Sequence, residues 1–308
     1  MSTRPADLVG LRVVLRRRAG VRGGRVVYAD ILGKLVGVAG EGLSVRRDDG
    51  STVTVPAEDV HRLRAVPAGR ADILALEAVT ARGWPAPETA WLGSWLLRAG
   101  GGWTRRANSA LALGDPGMPV PDALDAVRSW YAERGLPALL AVPLPAQARA
   151  DHTAARLGWT VDVETEVLTA PVGAAAVHSD VLLSDTLTPQ WEAVYQARTV
   201  PPVARRILTA PDTVTFASIV RDGQTVAIGR GVVVDDWLGV AAVEVLPGYR
   251  RRGLARRLTA GLLGWGAARG AHRCYVQVES ANAAALTLYA SLGFTRHHRY
   301  RNRIAPDH

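Results

Sequence analysis

The sequence predicts an α+β protein in which a small all-β module precedes a mixed β-sheet flanked by helices, present in two copies. Three observations carry this expectation. Short apolar runs punctuated by glycine and aspartate fill the stretch from Leu8 to Val66. An ordered series of strands and helices is legible from about His178 to the end. Short echoes of that series occur upstream at a constant offset.

Length and composition bound what these elements can build. At 308 residues the chain exceeds what one core usually requires, so two or three domains are expected. No run of about twenty uncharged apolar residues occurs, and the arginine-studded start carries no apolar signal core, which predicts a soluble, cytoplasmic protein. The single cysteine, Cys274, has no second cysteine to pair with and lies in an apolar run, so it is expected in a core. Arginine gives a formal net charge of +9, which favours polyanionic partners such as nucleic acid or a phosphate-bearing cofactor. Coding bias toward arginine and alanine produces the same composition.

In the first module, residues 1–66, the candidate strands are Leu11 to Leu15, Ala29 to Val38, Leu43 to Arg47 and Thr52 to Val55, with Asp49-Gly50 as a two-residue turn. This pattern resembles an SH3-like β-barrel. Its basic run, Arg16-Arg17-Arg18 with Arg22 and Arg25, suits phosphate contacts and equally suits a solvated strand face.

Pro67 and Gly69 break the pattern, and a helix is expected over Ala71 to Arg82, opening a middle region, residues 71–171. A helix from Pro121, with Leu124, Val127 and Tyr131 on one face, leads to a strand over Ala138 to Val142. A helix over Ala148 to Leu157 and a half-buried strand over Thr160 to Leu168 follow.

The third region, residues 178–308, begins after an alanine-rich link. A strand near Val181 precedes two helices and then strands over Thr213 to Val220, Thr225 to Val234 and Leu238 to Val245. Leu254, Leu258, Leu262 and Trp265 recur at helical spacing, a strand over Arg273 to Val278 follows, and Asn282 can cap a last helix that Gly293 stops. A final strand starts near Phe294. His297-His298 reads as an exposed strand pair, and the scattered histidines show no metal-ligand spacing.

The chemistry concentrates where strand Leu238 to Val245 meets the next helix, in Val245-Leu246-Pro247-Gly248-Tyr249-Arg250-Arg251-Arg252-Gly253-Leu254-Ala255. Free N–H groups at a helix start, the positive end of the helix dipole and arginine side chains together favour an anion, and Gly253 lets the backbone approach it. A second motif, Asn282-Ala283-Ala284-Ala285-Leu286-Thr287-Leu288-Tyr289-Ala290-Ser291-Leu292-Gly293-Phe294, follows downstream. The pair resembles the acetyl-CoA signature of the GNAT superfamily of N-acetyltransferases, over roughly Asp180 to Arg303. The resemblance implies that Arg250, Gly253 and Ala255, with Arg251, Arg252 and Leu254, hold the diphosphate, that Val243 and Val245 lie along the cofactor strand, and that Asn282 and Tyr289 line the site from the last helix. It also implies acetyl-CoA as acyl donor without a metal. The SH3-like start matches some actinobacterial members. The chain ends too soon for the usual last strand of that fold, which leaves completion of the sheet open.

An internal comparison is independent of that resemblance. Arg134-Gly135 matches Arg269-Gly270, and Leu157-Gly158-Trp159-Thr160 matches Leu292-Gly293-Phe294-Thr295, both at an offset of 135 residues. The middle region is therefore read as a diverged copy of the same fold. Its loop from Gly114 to Pro121 lacks an arginine cluster, and the offset puts Gln147 opposite Asn282 and Ala154 opposite Tyr289. This copy is expected to do no chemistry and to wall the acceptor site, complete the sheet, or both.

Acetyl transfer to an amine needs a base, an oxyanion donor and a proton for the departing thiolate. Glu244 is the first candidate for the base, or else a salt-bridge partner if it points toward the helical layer, and Glu279 is the reserve. The Val245 N–H is the candidate oxyanion donor, and Tyr289 the proton donor or plain core. Three functions follow: an N-acetyltransferase acting on a small-molecule or protein amine, a non-catalytic acyl-CoA-binding sensor, and a nucleic-acid-binding protein led by the basic module.

Overall fold

The structure, a computed structural model, describes residues 5–40, 42–47, 49–173, 180–195 and 200–306. Most of the alanine-rich link and the first two residues of the third region lie outside the described residues. Contacts divide the chain into two units, Met1–Gly69 and Arg70–His308.

The first unit is a five-stranded antiparallel sheet. Its strands are β1 (Arg12–Arg22), β2 (Arg25–Ala39), β3 (Gly42–Arg46), β4 (Thr52–Pro56) and β5 (Val60–Ala65), in the order β4-β3-β2-β1-β5. Alternation sends Val13, Leu15, Ile31, Leu35, Val45 and Val55 into one core. The closed barrel expected from the sequence is not found among the described residues: β4 and β5 are joined by a short 3₁₀ turn, Ala57–Asp59, and do not pair with each other, so both remain edges. β5 itself was not legible, because its Arg62 and Arg64 hide the strand pattern.

The second unit is one eleven-stranded sheet with helices on both faces. In chain order it comprises α1 (Arg70–Gly83), β6 (Glu88–Leu92), β7 (Trp95–Ala99), β8 (Ala110–Ala112), α2 (Val120–Ala132), β9 (Leu139–Leu144), α3 (Ala148–Arg156) and β10 (Thr160–Pro171). Then follow β11 (Leu182–Ser184), α4 (Pro189–Val194), α5 (Pro202–Thr209), β12 (Val214–Arg221), β13 (Gln224–Val234), β14 (Trp237–Val245), α6 (Leu254–Ala267), β15 (Arg273–Glu279), α7 (Ala283–Ser291) and β16 (Thr295–Ile304). The hairpin β6–β7 and the short β8 had no clear sequence signal, since Trp-Leu-Leu-Arg-Ala lacks alternation.

The repeat is visible in the elements. α3 and α7 begin and end 135 residues apart, as do the starts of β10 and β16. Each copy joins a parallel strand pair through a helix, β8 and β9 through α2 and β14 and β15 through α6. The copies then exchange their last strands. β10 of the middle region pairs along β15, from Thr165↔Glu279 to Pro171↔Arg273, while β16 pairs along β9, and the two meet at the centre of the sheet. This answers how a short chain end completes its sheet.

The exchange also corrects the reading of His297-His298 as an exposed pair. A strand held between β9 and β10 is central, and His298 is buried with its Nε2 2.8 Å from Glu77 Oε1 of α1. Cys274 lies in the core as expected, where burial pushes its thiol far up from the usual range.

On one face of the third region's strands, Ala217, Ile219, Ala227, Leu238, Val240 and Val276 pack against Leu254, Leu258, Leu262 and Trp265 of α6. The other face carries α1, α4 and α5, where Trp84, Trp191, Tyr195 and Phe216 form a second core with Ile228.

Candidate functional site

The site starts from a break in strand pairing. β14 and β15 pair from Trp237↔Arg273 to Val240↔Val276, and beyond that both strands continue without each other. The cause lies in β14. Ala242 has φ of 52°, and two residues of β14 between Ala241 and Glu244 face one of β13 between Arg230 and Ile228, a bulge that bends the strand away. The result is a gap whose walls are Ala241 to Val245 on one side and Gln277 to Glu279 on the other.

Backbone direction then places one donor in the gap. Leu246 N–H donates to Val226 O at 2.9 Å, so Leu246 faces β13, and in an antiparallel ladder its neighbour Val245 turns its N–H and C=O the opposite way. The Val245 carbonyl is held there by Arg250 Nε at 3.1 Å. The side chains of Val243 and Val245 pack on the α6 side. Glu244 therefore faces the other side, directly opposite Ile228 and near Tyr195. Burial, with the Glu244 carboxylate adding to it and Arg106 opposing, pushes the Tyr195 hydroxyl up to about 12. Glu244 does not point toward α6.

At the mouth of the gap, Pro247–Tyr249 forms a 3₁₀ turn and Gly253 takes the left-handed conformation, φ 78°, to start α6. A Cβ on Gly253 would meet nothing within 4 Å, so open space lies over the loop. The amides of Arg251, Arg252, Gly253, Leu254, Ala255 and Arg256 donate to no group among the described residues. Arg250, Arg251 and Arg252 are exposed and form no ion pair there, and α6 has no acidic residue in its first turn. Unengaged amides, a helix N-terminus and exposed arginines without ion pairs thus lie together in one loop, a combination that favours an anion.

The second motif sits beside it. Asn282 Oδ1 accepts from Ala285 N at 3.0 Å and caps α7, which leaves its amide NH₂ for another partner. Arg256 Nη2 ties α6 to Ser291 Oγ of α7 at 2.7 Å. Tyr289 is buried, its ring edge-on to Phe294 at 5.3 Å, and burial drives its hydroxyl far above the usual phenol range, which keeps the proton on. It is the one buried residue of α7, an otherwise apolar helix whose Leu286 and Leu288 stay partly exposed. Glu279 is 58 % exposed and lies 3.5 Å from Arg105 Nη1, where it acts as an ion-pair partner at the rim.

The inner face holds residues that sequence reasoning did not single out. Trp84 and Trp103 stack at 5.5 Å, with the Arg106 guanidinium 4.2 Å from the Trp84 ring. Arg106 Nη1 donates to Gln277 in the gap wall at 3.1 Å. Arg230 is buried with its Nε and Nη1 on the carbonyls of Leu208 and Gly83, its Nη2 finds no partner among the described residues, and burial pulls its guanidinium down to about 10. Arg98, also buried, bonds through its side chain to Ser109 O at 2.9 Å and Oγ at 2.8 Å. An arginine between two glycines in an apolar strand was the available signal for Arg230.

Comparison with known proteins shows the family. A family model described as "Probable histone acetyltransferase Rv0428c C-terminal" matches residues 70–303. The chain belongs to this family of GNAT-type acetyltransferases. A Mycobacterium tuberculosis member, "Probable histone acetyltransferase Rv0428c", is 32 % identical over 95 % of this chain and 94 % of its own length. The "Uncharacterized N-acetyltransferase YobR" of Bacillus subtilis is 27 % identical over 75 % of this chain and 98 % of its own. Among solved structures, a GCN5-related N-acetyltransferase from Kribbella flavida matches 77 % of this chain and 96 % of its own with a TM-score of 0.61 at 18 % identity. A tandem GNAT protein from the clavulanic acid biosynthesis pathway matches 79 % of this chain and 91 % of its own at 0.51 and 15 %. The family is one of acyltransferases, and the two-copy sheet has counterparts in its fold. No described helix is long and apolar enough to cross a membrane.

Proposed function

We propose that this acetyltransferase takes its acetyl group from acetyl-CoA and passes it to the amine of a small molecule or protein. The observation that carries the donor is the row of unengaged amides from Arg251 to Arg256 beside the gap between β14 and β15. The diphosphate rests on those amides and on Arg250, Arg251 and Arg252, with Gly253, Leu254 and Ala255 allowing close approach. The pantetheine arm lies along Val243 and Val245, and Asn282 and the apolar flank of α7 cover it. Acetyl-CoA supplies an activated thioester, and no metal is needed. A donor of this kind also favours the cytoplasm.

The chain's own residues divide the remaining work. Val245 N–H, already aimed into the gap, donates to the carbonyl oxygen as charge develops on it. Glu244 stands on the opposite face from α6 and accepts the amine proton, directly or through water. Tyr289 keeps its proton because it is buried, and delivers it to the departing sulfur. The middle copy walls the acceptor side through Trp84, Trp103 and Arg106. Arg98, Arg106 and Arg230 meet no carboxylate within ion-pair distance among the described residues, so a small amine that also bears a carboxylate fits this face better than a basic protein such as the histone in the name of the mycobacterial relative. In the first unit, the strand order β4-β3-β2-β1-β5 with a 3₁₀ turn before the last strand supports an SH3-like reading.

A thiol-release assay with acetyl-CoA tests this, run against amino acids, polyamines and basic peptides. Release that depends on an acidic amine supports the reading. Calorimetry that detects no association with CoA ends it.

A further inference from the structure

Acyl transfer leaves one motif unused, the arginines of β1. Pairing puts three of them, Arg12, Arg16 and Arg18, on one face. Val13 and Leu15 enter the core of the first unit, so Arg12, Val14, Arg16 and Arg18 take the opposite side of the strand. Arg12 lies opposite Lys34, Arg16 opposite Asp30 and Arg62, Val14 opposite Arg64, and Arg18 opposite Tyr28. On β1, β2 and β5 the one carboxylate is Asp30, and it already accepts from Arg16 at 2.8 and 2.9 Å.

This arrangement works against the sheet that holds it. Like charges directly opposite, as in Arg16–Arg62, oppose strand pairing. A polyanion along the face relieves this and meets further cations, because same-face residues recur about every 7 Å along a strand. The face also carries rings. Tyr28 is 42 % exposed and lies 4.3 Å from the exposed ring of His61, beside Arg18 and Arg62. Cations in rows around an accessible aromatic pair match a chain that offers both phosphates and unstacked bases. A duplex keeps its bases stacked, and an acidic peptide has none.

We propose that the β1–β2–β5 face of the first unit binds single-stranded nucleic acid, with Arg18, Arg62 and Arg64 on phosphates and Tyr28 under a base. Fluorescence anisotropy of the full chain tests this with labelled dT20, a duplex of equal length and polyglutamate. The expected result is tightest binding to dT20, weakening with salt at a log–log slope of about −2, as three neutralised phosphates require. Arg18→Gln/Arg62→Gln/Arg64→Gln should lower that affinity at least roughly tenfold and flatten the slope by about 2. Tyr28→Ala should weaken dT20 roughly tenfold and leave polyglutamate binding unchanged. Arg251→Gln/Arg252→Gln, in the acyl-donor cradle, should leave dT20 binding alone. Thermal melting and the thiol-release rate show that the face variants remain folded. No binding of dT20 at low salt, duplex or polyglutamate binding as tight as dT20, no effect of Tyr28→Ala, or a loss that follows the cradle variant each overturns the proposal.

Discussion

The two copies meet the same problem, a loop that carries the chain from a strand to a helix start, and solve it in opposite ways. After β14 the loop leaves its amides unengaged and sets arginines around them. After β8 the corresponding loop is filled from within. Gly114 O accepts from Trp95 Nε1 and from Gln147 Nε2, Asp115 O takes the Ser94 amide, and Asp115 Oδ1 takes the Gly117 amide. The helix starts differ as well. α2 opens with Pro121, which lacks an N–H, and Asp122, which puts a negative charge in the first turn, whereas α6 opens without either. A helix N-terminus is therefore not enough for an anion site. What distinguishes the copies is whether their own side chains already fill the loop: in the middle copy Asp115 accepts the Gly117 amide, and Gln147, in the place of Asn282, donates to the Gly114 carbonyl.

The contrast can be broken most directly at Tyr289, whose place in the middle copy is taken by Ala154. Tyr289→Phe should lower turnover about 100-fold while CoA affinity measured by calorimetry stays within a factor of two, and an unchanged rate would leave Tyr289 as core only. Next in size, Gly253→Ala should raise KM for acetyl-CoA roughly tenfold, because a side chain at φ 78° is strained and occupies the space above the amides. Gly117→Ala, also at positive φ in the filled loop, should lower Tm slightly and leave KM untouched.

A third test concerns the exchanged strands. Asp151 of α3 is buried, and although burial alone would raise its carboxyl, the hydrogen bonds and charges of Arg303 and Arg301 on β16 hold it below the usual carboxylate range. A depressed carboxyl stabilises the fold above its unfolded pKa of about 3.9, and that contribution is lost as pH falls through the lower folded value. Asp151→Asn should lower stability by about 3 kcal/mol at neutral pH and flatten the acid limb of the denaturation profile. An unaltered acid midpoint would show that the strand exchange rests on apolar packing instead. The smallest effect is expected at Glu279. Glu279→Gln should change the rate less than about twofold, since a rim ion pair at 58 % exposure contributes little, whereas Glu244→Gln should slow it tenfold or more.

The elements around the proposed site were legible because their signals are local. The Arg-x-x-Gly-x-Ala loop, the Asn282 cap and the helical face ending in Tyr289 each depend on residues within a turn or two of one another, and α6 and α7 appear where the periodicity placed them. The inner face was not legible, because Trp84, Arg106, Tyr195 and Arg230 come from four separate segments that only the sheet brings together. His298 was misread for a related reason, since an alternating polar strand looks the same at an edge as at the centre.

By itself, then, the amino-acid order determined the repeat, the arginine-rich loop before α6 and the difference between its two copies, all of which follow from residues close in the chain. Only the tertiary structure decided that β10 and β16 trade places and that Glu244 faces away from α6. The first turns on long-range strand pairing, and the second on the bulge at Ala242, where a single extra residue reverses which way every later side chain of β14 points.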